Sequence, residues 1–243
     1  MHFYRIGLFL LAILALPVHA ASSPVYPQVE FQTNMGSFVV ELYPDKAPKT
    51  VANFLERVSS NYYSGTVFHR TVDRFMVQGG GFTADMKEKD FTPQGTGLVG
   101  AIKGDMVLTK LPNDFKLPNE SNNGLKNTRG TLAMARSFQP DSATTQFFIN
   151  LDDNKFLNFH KPDPHYIGYA VFGKVIRGFD IVKKIGQAPT LTVGVHKDVP
   201  VQPIIIEKAA LLEKPVVAEP EVLPNSLPKS ESIKTATKGK KRG

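Results

Sequence analysis

Most apolar residues of this chain fall in short alternating or β-branched runs, and only two stretches carry a helical stripe. Val29-Glu30-Phe31-Gln32-Thr33 alternates apolar and polar, as a half-buried strand does. Asn34-Met35-Gly36 supplies a turn with a glycine free to take positive φ. Phe38 to Tyr43 follows as a second strand, so the pair reads as a β-hairpin. Pro48 opens a helix at its first turn, and Val51, Phe54, Leu55 and Val58 make one apolar face at i, i+3, i+4 and i+7. Phe68 to Val77 reads as two short strands around Asp73. Thr131 to Met134, Gln146 to Leu151 and Tyr169 to Val175 are further strands. Phe179, Val182 and Ile185 form a second short helix that stops at Gly186, and Pro203 to Leu212 is an apolar closing strand. Many strands with two widely separated helices predict an antiparallel barrel or sandwich capped by helices.

The segment 83–128 breaks this pattern. It is rich in Lys, Asp, Asn, Pro and Gly, and a loop of that length inside a compact domain is functional or mobile. Val107 to Leu111 is its one strand-like piece. Gly95-Thr96-Gly97-Leu98-Val99-Gly100 spells G-x-G-x-x-G. No strand leads into it, no helix pattern follows and no βαβ unit surrounds it, so it reads as a flexible loop and not a dinucleotide site. His160, Asp163 and His165 have no diagnostic metal spacing, and Pro162 and Pro164 stiffen the segment between them. No metal and no cofactor are expected.

The ends read differently from the body. Arg5 followed by the apolar run Ile6 to Leu16 and by Val18-His19-Ala20 has the form of a signal peptide over 1–20, with cleavage before Ala21. That run is too short to span a bilayer, and no stable membrane insertion is expected. Residues 21–28 read as a linker. Residues 213–243 hold seven Lys/Arg and four Asp/Glu, are proline-rich up to Pro228, and close on Lys-Gly-Lys-Lys-Arg-Gly. This composition predicts a disordered basic tail. The tail and Arg5 account for about +4 of the formal +7, which leaves the body near +3; nucleic acid is not an expected partner. The chain has no cysteine, which removes disulfides, thiol catalysis and cysteine metal sites together.

Phe68-His69-Arg70-Thr71-Val72, followed by Phe75-Met76-Val77-Gln78-Gly79-Gly80-Gly81, concentrates the candidate chemistry. Arginine is always charged and carries five N–H donors in a planar fork. Such a fork beside an apolar wall suits a neutral substrate with one electron-rich atom next to a greasy ring. His69 reads as a packed neighbour, and Gly79-Gly80-Gly81 as a chain bend and not a phosphate cradle.

With these residues in view, the chain resembles the cyclophilin-type peptidyl-prolyl cis-trans isomerases, and most of all the exported, periplasmic cyclophilins of Gram-negative bacteria. The resemblance runs from about Val29 to Leu212. It rests on Phe68-His69-Arg70, Phe75 to Gly80, Leu132-Ala133-Met134-Ala135-Arg136, Thr145-Gln146-Phe147-Phe148-Ile149 and Val171-Phe172-Gly173-Lys174-Val175, in the family's order. It implies an all-β-dominated fold, an eight-stranded antiparallel β-barrel closed at each end by an α-helix. It implies Arg70 as the catalytic arginine. Phe75, Met76, Phe148 and Leu157 would be walls of the proline pocket, and Gln78 and Gln146 polar groups on the substrate backbone. Ala135 and Arg136 would be the strand-edge pair whose main chain meets the peptide, with the Arg136 side chain unconstrained. Phe156 stands at the family's common tryptophan position, which implies weak cyclosporin binding, and Tyr169 stands at a pocket histidine position. The loop near 94–112 is longer than the family's.

The resemblance makes X–Pro bonds of unfolded or flexible polypeptides the expected substrate, outside the cytoplasm, in the periplasm or, as an alternative, after secretion. A monomer is expected. The rival reading is a non-catalytic module or holdase for proline-containing segments, which would bind without changing the isomerisation rate.

Overall fold

The computed structural model describes residues 26–90, 98–102, 105–108 and 117–217, with only the backbone of 98–102 and 105–108. The expected leader, most of the linker, Gly95 to Gly97, residues 109–111 and most of the tail lie outside the described residues. In chain order the elements are β1 (Gln28–Thr33), β2 (Gly36–Leu42), α1 (Pro48–Ser59), β3 (Thr66–Val72), β4 (Met76–Thr83), β5 (Leu98–Ile102) and β6 (Asp105–Leu108). They continue with β7 (Thr131–Met134), β8 (Phe147–Asn150), β9 (Val171–Arg177), α2 (Phe179–Gly186), β10 (Thr190–Val193), β11 (His196–Pro200) and β12 (Ile206–Leu211).

Eight of these strands make one antiparallel sheet in the order β12-β1-β2-β9-β7-β8-β4-β3. Its two edges meet. Val67 bridges Ile205, Gly65 N donates to Ile206 O at 2.8 Å, and Phe68 N donates to Ile204 O at 2.9 Å. The result is a nearly closed barrel, as the strand pattern and the resemblance predict.

Side chains alternate across a strand, so each barrel strand sends every second residue inward. Phe31, Phe38, Val77, Leu132, Phe147, Ile149 and Phe172 fill one buried cluster. The α1 stripe enters the same cluster. Phe54 lies 5.2 Å from the Phe172 ring, 5.3 Å from Tyr63 and 6.1 Å from Phe31. Val182 and Ile185 bring α2 into it. Helix α1 has no capping side chain of its own at Ala47. Glu120 supplies one from a distance, accepting from Lys49 N at 3.1 Å, Thr50 N at 2.8 Å and Thr50 Oγ1 at 2.7 Å. A carboxylate there satisfies open amides and meets the positive end of the helix dipole.

Two hairpins depart from the sequence reading. The strand expected at Val107 to Leu111 is instead Asp105–Leu108, paired with Leu98–Ile102 through Ala101 opposite Met106. Leu98 to Gly100 of the glycine-rich stretch is therefore strand and not flexible loop. Between α2 and β12, β10 and β11 pair through Leu191 opposite Val199. All four β10 side chains are exposed, so no buried face imposes an alternation that the sequence could display.

Candidate active site

The alternation that fills the barrel also builds a second apolar cluster on its outer face. Met76, Ala133, Phe148, Leu157 and Val171 are buried together, with Val72, Phe75, Leu125, Ala135 and Tyr169 half-buried against them. Each barrel member sits one residue from an inward neighbour: Met76 beside Val77, Ala133 beside Leu132, Phe148 beside Phe147, Val171 beside Phe172. The strand register aligns them in a row. Arg70 stands opposite Gln78, Gln78 opposite Phe148, Phe148 opposite Ala133, and Ala133 opposite Val171. At about 4.8 Å per strand, Arg70 is two strands from the centre of the apolar patch.

Arg70 reaches this face because the ladder is irregular. Phe68 pairs with Gly79 and Arg70 with Gln78, so a two-residue step on β3 meets a one-residue step on β4. Phe68 points into the core. Strict alternation would send Arg70 inward with it. The extra residue, His69, shifts the phase and turns Arg70 outward, the effect by which a β-bulge re-aims a side chain. The Arg70 side chain is 41% exposed, and its Nε donates to Asp198 Oδ2 at 3.4 Å. Among the described residues its Nη groups have no protein partner.

The glutamines make a fixed pair, Gln78 Nε2 donating to Gln146 Oε1 at 2.9 Å. The three glycines lie within β4, not in a bend after it. Gly80 has φ +82, and a Cβ there would meet the Tyr63 and Phe147 rings at 2.8 and 2.9 Å; a Cβ on Gly81 would overlap the Gln146 side chain. An open cavity of about 490 Å³ adjoins the pair, lined by Arg70, His69, Phe82, Val195, His196 and Asp198 among others. Phe75, Met76, Phe148 and Leu157 do not line it; Gln78, which does, stands between Arg70 and Phe148 in the register.

The outer rim of the patch is aromatic. Phe156 stacks on Phe75 at 5.6 Å while 69% exposed, and Tyr169 meets Phe148 edge-on at 5.5 Å. The main chain beneath is pinned by three buried asparagines. Asn154 Nδ2 donates to Phe75 O at 2.9 Å and to Asn150 Oδ1 at 2.7 Å. Asn150 Nδ2 donates to Asn127 Oδ1 at 3.2 Å and Thr131 Oγ1 at 2.9 Å. Asn127 Nδ2 in turn donates to Leu157 O at 3.0 Å and Tyr169 O at 3.3 Å. One connected network thus fixes the backbone of Phe75, Leu157 and Tyr169.

The family model for cyclophilin type peptidyl-prolyl cis-trans isomerase/CLD matches residues 28–211. The chain belongs to the cyclophilin-type peptidyl-prolyl cis-trans isomerase family. It is 48% identical over 193 residues to a peptidyl-prolyl cis-trans isomerase of Acinetobacter baylyi, covering 79% of this chain and 88% of that one. It is 46% identical over 185 residues to peptidyl-prolyl cis-trans isomerase B of Escherichia coli, covering 76% of this chain and 99% of that protein. Among solved structures, a Cryptosporidium parvum cyclophilin-type isomerase crystallised in the presence of the dipeptide Ala-Pro superposes with TM-score 0.56 at 27% identity, covering 77% of this chain and 99% of that one.

Within this cyclophilin the predicted site residues fall on one face, with two refinements. The Ala135 N–H is committed to Gln146 O at 2.9 Å, so what that pair leaves open among the described residues is the Ala135 carbonyl and the Arg136 main chain. The Arg136 side chain, expected to be unconstrained, is instead held: Nε donates to Gly168 O at 2.8 Å, Nη1 to Ser137 O at 3.0 Å and Phe138 O at 3.1 Å, and Nη2 to Pro164 O at 3.3 Å. The guanidinium lies 4.7 Å from the Tyr169 ring centroid. A planar five-donor group reaches several carbonyls at once, which explains why a loop without regular structure recruits it.

His69 is buried and its Nδ1 has no partner among the described residues. Burial, helped by the nearby charges of His196 and Arg70, pushes its pKa down to about 4. At neutral pH it is an uncharged ring against Phe82, 4.7 Å away. The β10–β11 hairpin, with His196 5.1 Å from Phe82 and Asp198 against Arg70, was not visible in the sequence. The only signal available was Gly194 between Thr190-Leu191-Thr192-Val193 and the valine-containing run Val195 to Val199. His165 of the His160–Asp163–His165 group packs on Phe138 at 5.0 Å, and the described residues hold no cluster of three metal-ligating side chains.

Proposed function

We propose that this cyclophilin rotates X–Pro bonds in flexible polypeptides at the outer-face row, with the proline ring on Phe75, Met76, Phe148 and Leu157 and Arg70 as the donor to the imide nitrogen. The supporting observation is the placement of Arg70: turned outward by the bulge, beside the apolar patch, with both Nη groups unclaimed. The uncatalysed rotation takes tens to hundreds of seconds because the C–N bond is partly double. At a twist of about 90° that resonance is lost and the nitrogen lone pair becomes an acceptor. A donor aimed at it favours the twisted state over either planar one, which is catalysis by differential binding without proton transfer or covalent chemistry. Gln78, Gln146 and the Arg136 main chain hold the flanking peptide, and Phe156 and Tyr169 close the rim.

A charge-assisted hydrogen bond contributes about 1.5–3 kcal/mol net, or roughly 10- to 150-fold in rate. Exchange NMR between the cis and trans forms of a short proline peptide tests this directly. Arg70→Ala should lose rate by that factor and still bind the peptide. Unchanged kcat/KM would remove Arg70 from the role, and binding without any rate enhancement by the native protein would make it a binding module.

The same reading places the protein in the periplasm through residues 1–20, as a monomer. It also expects weak cyclosporin binding, because Phe156 offers no indole N–H. Periplasmic release on osmotic shock, a single species by sedimentation and calorimetric titration with cyclosporin test these in turn.

A further inference from the structure

The geometry points to Asp198 as a positioning residue for Arg70: its carboxylate, presented by the β10–β11 hairpin, holds the Nε edge of the guanidinium so that the Nη edge faces the peptide. The inference rests on the assignment of Arg70 as donor and goes beyond it to a residue outside the barrel.

Three observations carry it. The first is the contact itself, Nε to Oδ2 at 3.4 Å, the one partner of Arg70 among the described residues. The second is the backbone of Asp198, at φ +59 although it is not glycine. Asp tolerates that region better than most non-glycine residues, and the local conformation sets the direction in which its side chain leaves the hairpin. The third is how the hairpin is seated. Val199, next to Asp198, is buried, and His196 packs edge-on against Phe82, which packs against His69, the residue that makes the bulge under Arg70. One stack of rings therefore ties the carboxylate to the irregularity that turns Arg70 outward.

The chemistry explains why a carboxylate is used. A half-exposed arginine on a flexible stem samples many rotamers, and each one that misses the imide nitrogen is unproductive. A carboxylate on Nε occupies the side edge of a rigid plane and leaves the end edge, formed by one N–H of each Nη group, open, so orientation is settled before the substrate arrives. Because both side chains are 41% exposed, screening keeps the pair weak. Its role is aim, not charge.

Asp198→Asn is the informative variant, since asparagine tolerates the left-handed backbone and keeps the side-chain shape. Exchange NMR should show kcat lowered by roughly two- to fivefold, the size of a screened ion pair, with peptide affinity unchanged. The same substitution in an Arg70→Lys background should change the rate by less than about twofold, because a residue acting only through the guanidinium has nothing left to orient. The Arg70 Nε–H resonance should be resolved in the native protein and lost to exchange in Asp198→Asn. An unchanged rate, an equal fold-loss in both backgrounds, or an unaltered Nε–H signal would overturn the positioning role while leaving Arg70 as donor. Full activity in both Arg70→Lys and Arg70→Ala would overturn both.

Discussion

Arg70 stands opposite Gln78 on the β3–β4 ladder, out of phase with Phe68, which stands opposite Gly79. The single extra residue between them decides which side of the barrel receives the guanidinium. That residue, His69, has a buried ring, and its protonation is therefore linked to the stability of the bulge.

The folded-state pKa of His69, about 4, lies below the unfolded value of about 6.5. Between these values the unfolded chain binds the additional proton. Stability is therefore fully present above pH 6.5 and is lost as pH falls toward 4, by about 3 kcal/mol over the whole interval. Urea unfolding from pH 7 to pH 4.5 should show this slope, and His69→Asn should flatten it by nearly one proton. Parallel slopes for the two proteins would contradict it.

Gly81→Ala probes the glutamine pair without straining the backbone. A Cβ there would lie 2.6 Å from Gln146 Cδ and 2.7 Å from Nε2, so Gln146 must move and its 2.9 Å bond from Gln78 must break. We expect kcat/KM to fall about tenfold, the value of one hydrogen bond, with the melting temperature little changed. A wild-type rate would show that Gln146 takes no part.

Asn150→Ala cuts the network behind the pocket wall. It leaves Asn127 Oδ1 and Asn154 Nδ2 each short of a partner in a buried site. The cost should be about 2–4 kcal/mol in denaturant unfolding, with KM raised because the Phe75 carbonyl loses its anchored donor. A loss under 1 kcal/mol would mean that water replaces the amide.

Arg136→Ala should cost about 1–3 kcal/mol, since several partly exposed hydrogen bonds from a charged donor are lost, and Arg136→Lys should not restore it, because a point charge cannot span the same carbonyls. Equal unfolding midpoints for the native protein and the lysine variant would show that charge alone suffices.

The strands that line the barrel were legible because each buries one face, and burial writes itself into the sequence as period two. Thr131 to Met134 and the Pro48 helix fall where the pattern puts them. That Met76, Phe148 and Leu157 cluster apart from the core could not be read from periodicity, which marks Met76 and Val77 alike as buried; only the motif resemblance grouped them. What escaped has physical reasons. The bulge at His69 leaves no compositional trace. The β10–β11 hairpin buries almost nothing on its first strand. The asparagines 127, 150 and 154 meet only in three dimensions, from loops and a strand end distant in sequence.

Phe31, Phe54, Phe147 and Phe172 leave the barrel no lumen, so whatever is processed must lie across its exterior wall. A site on an outer wall requires no free terminus to be threaded. An internal proline of a long polypeptide can lie against such a wall while both arms of that chain stay outside.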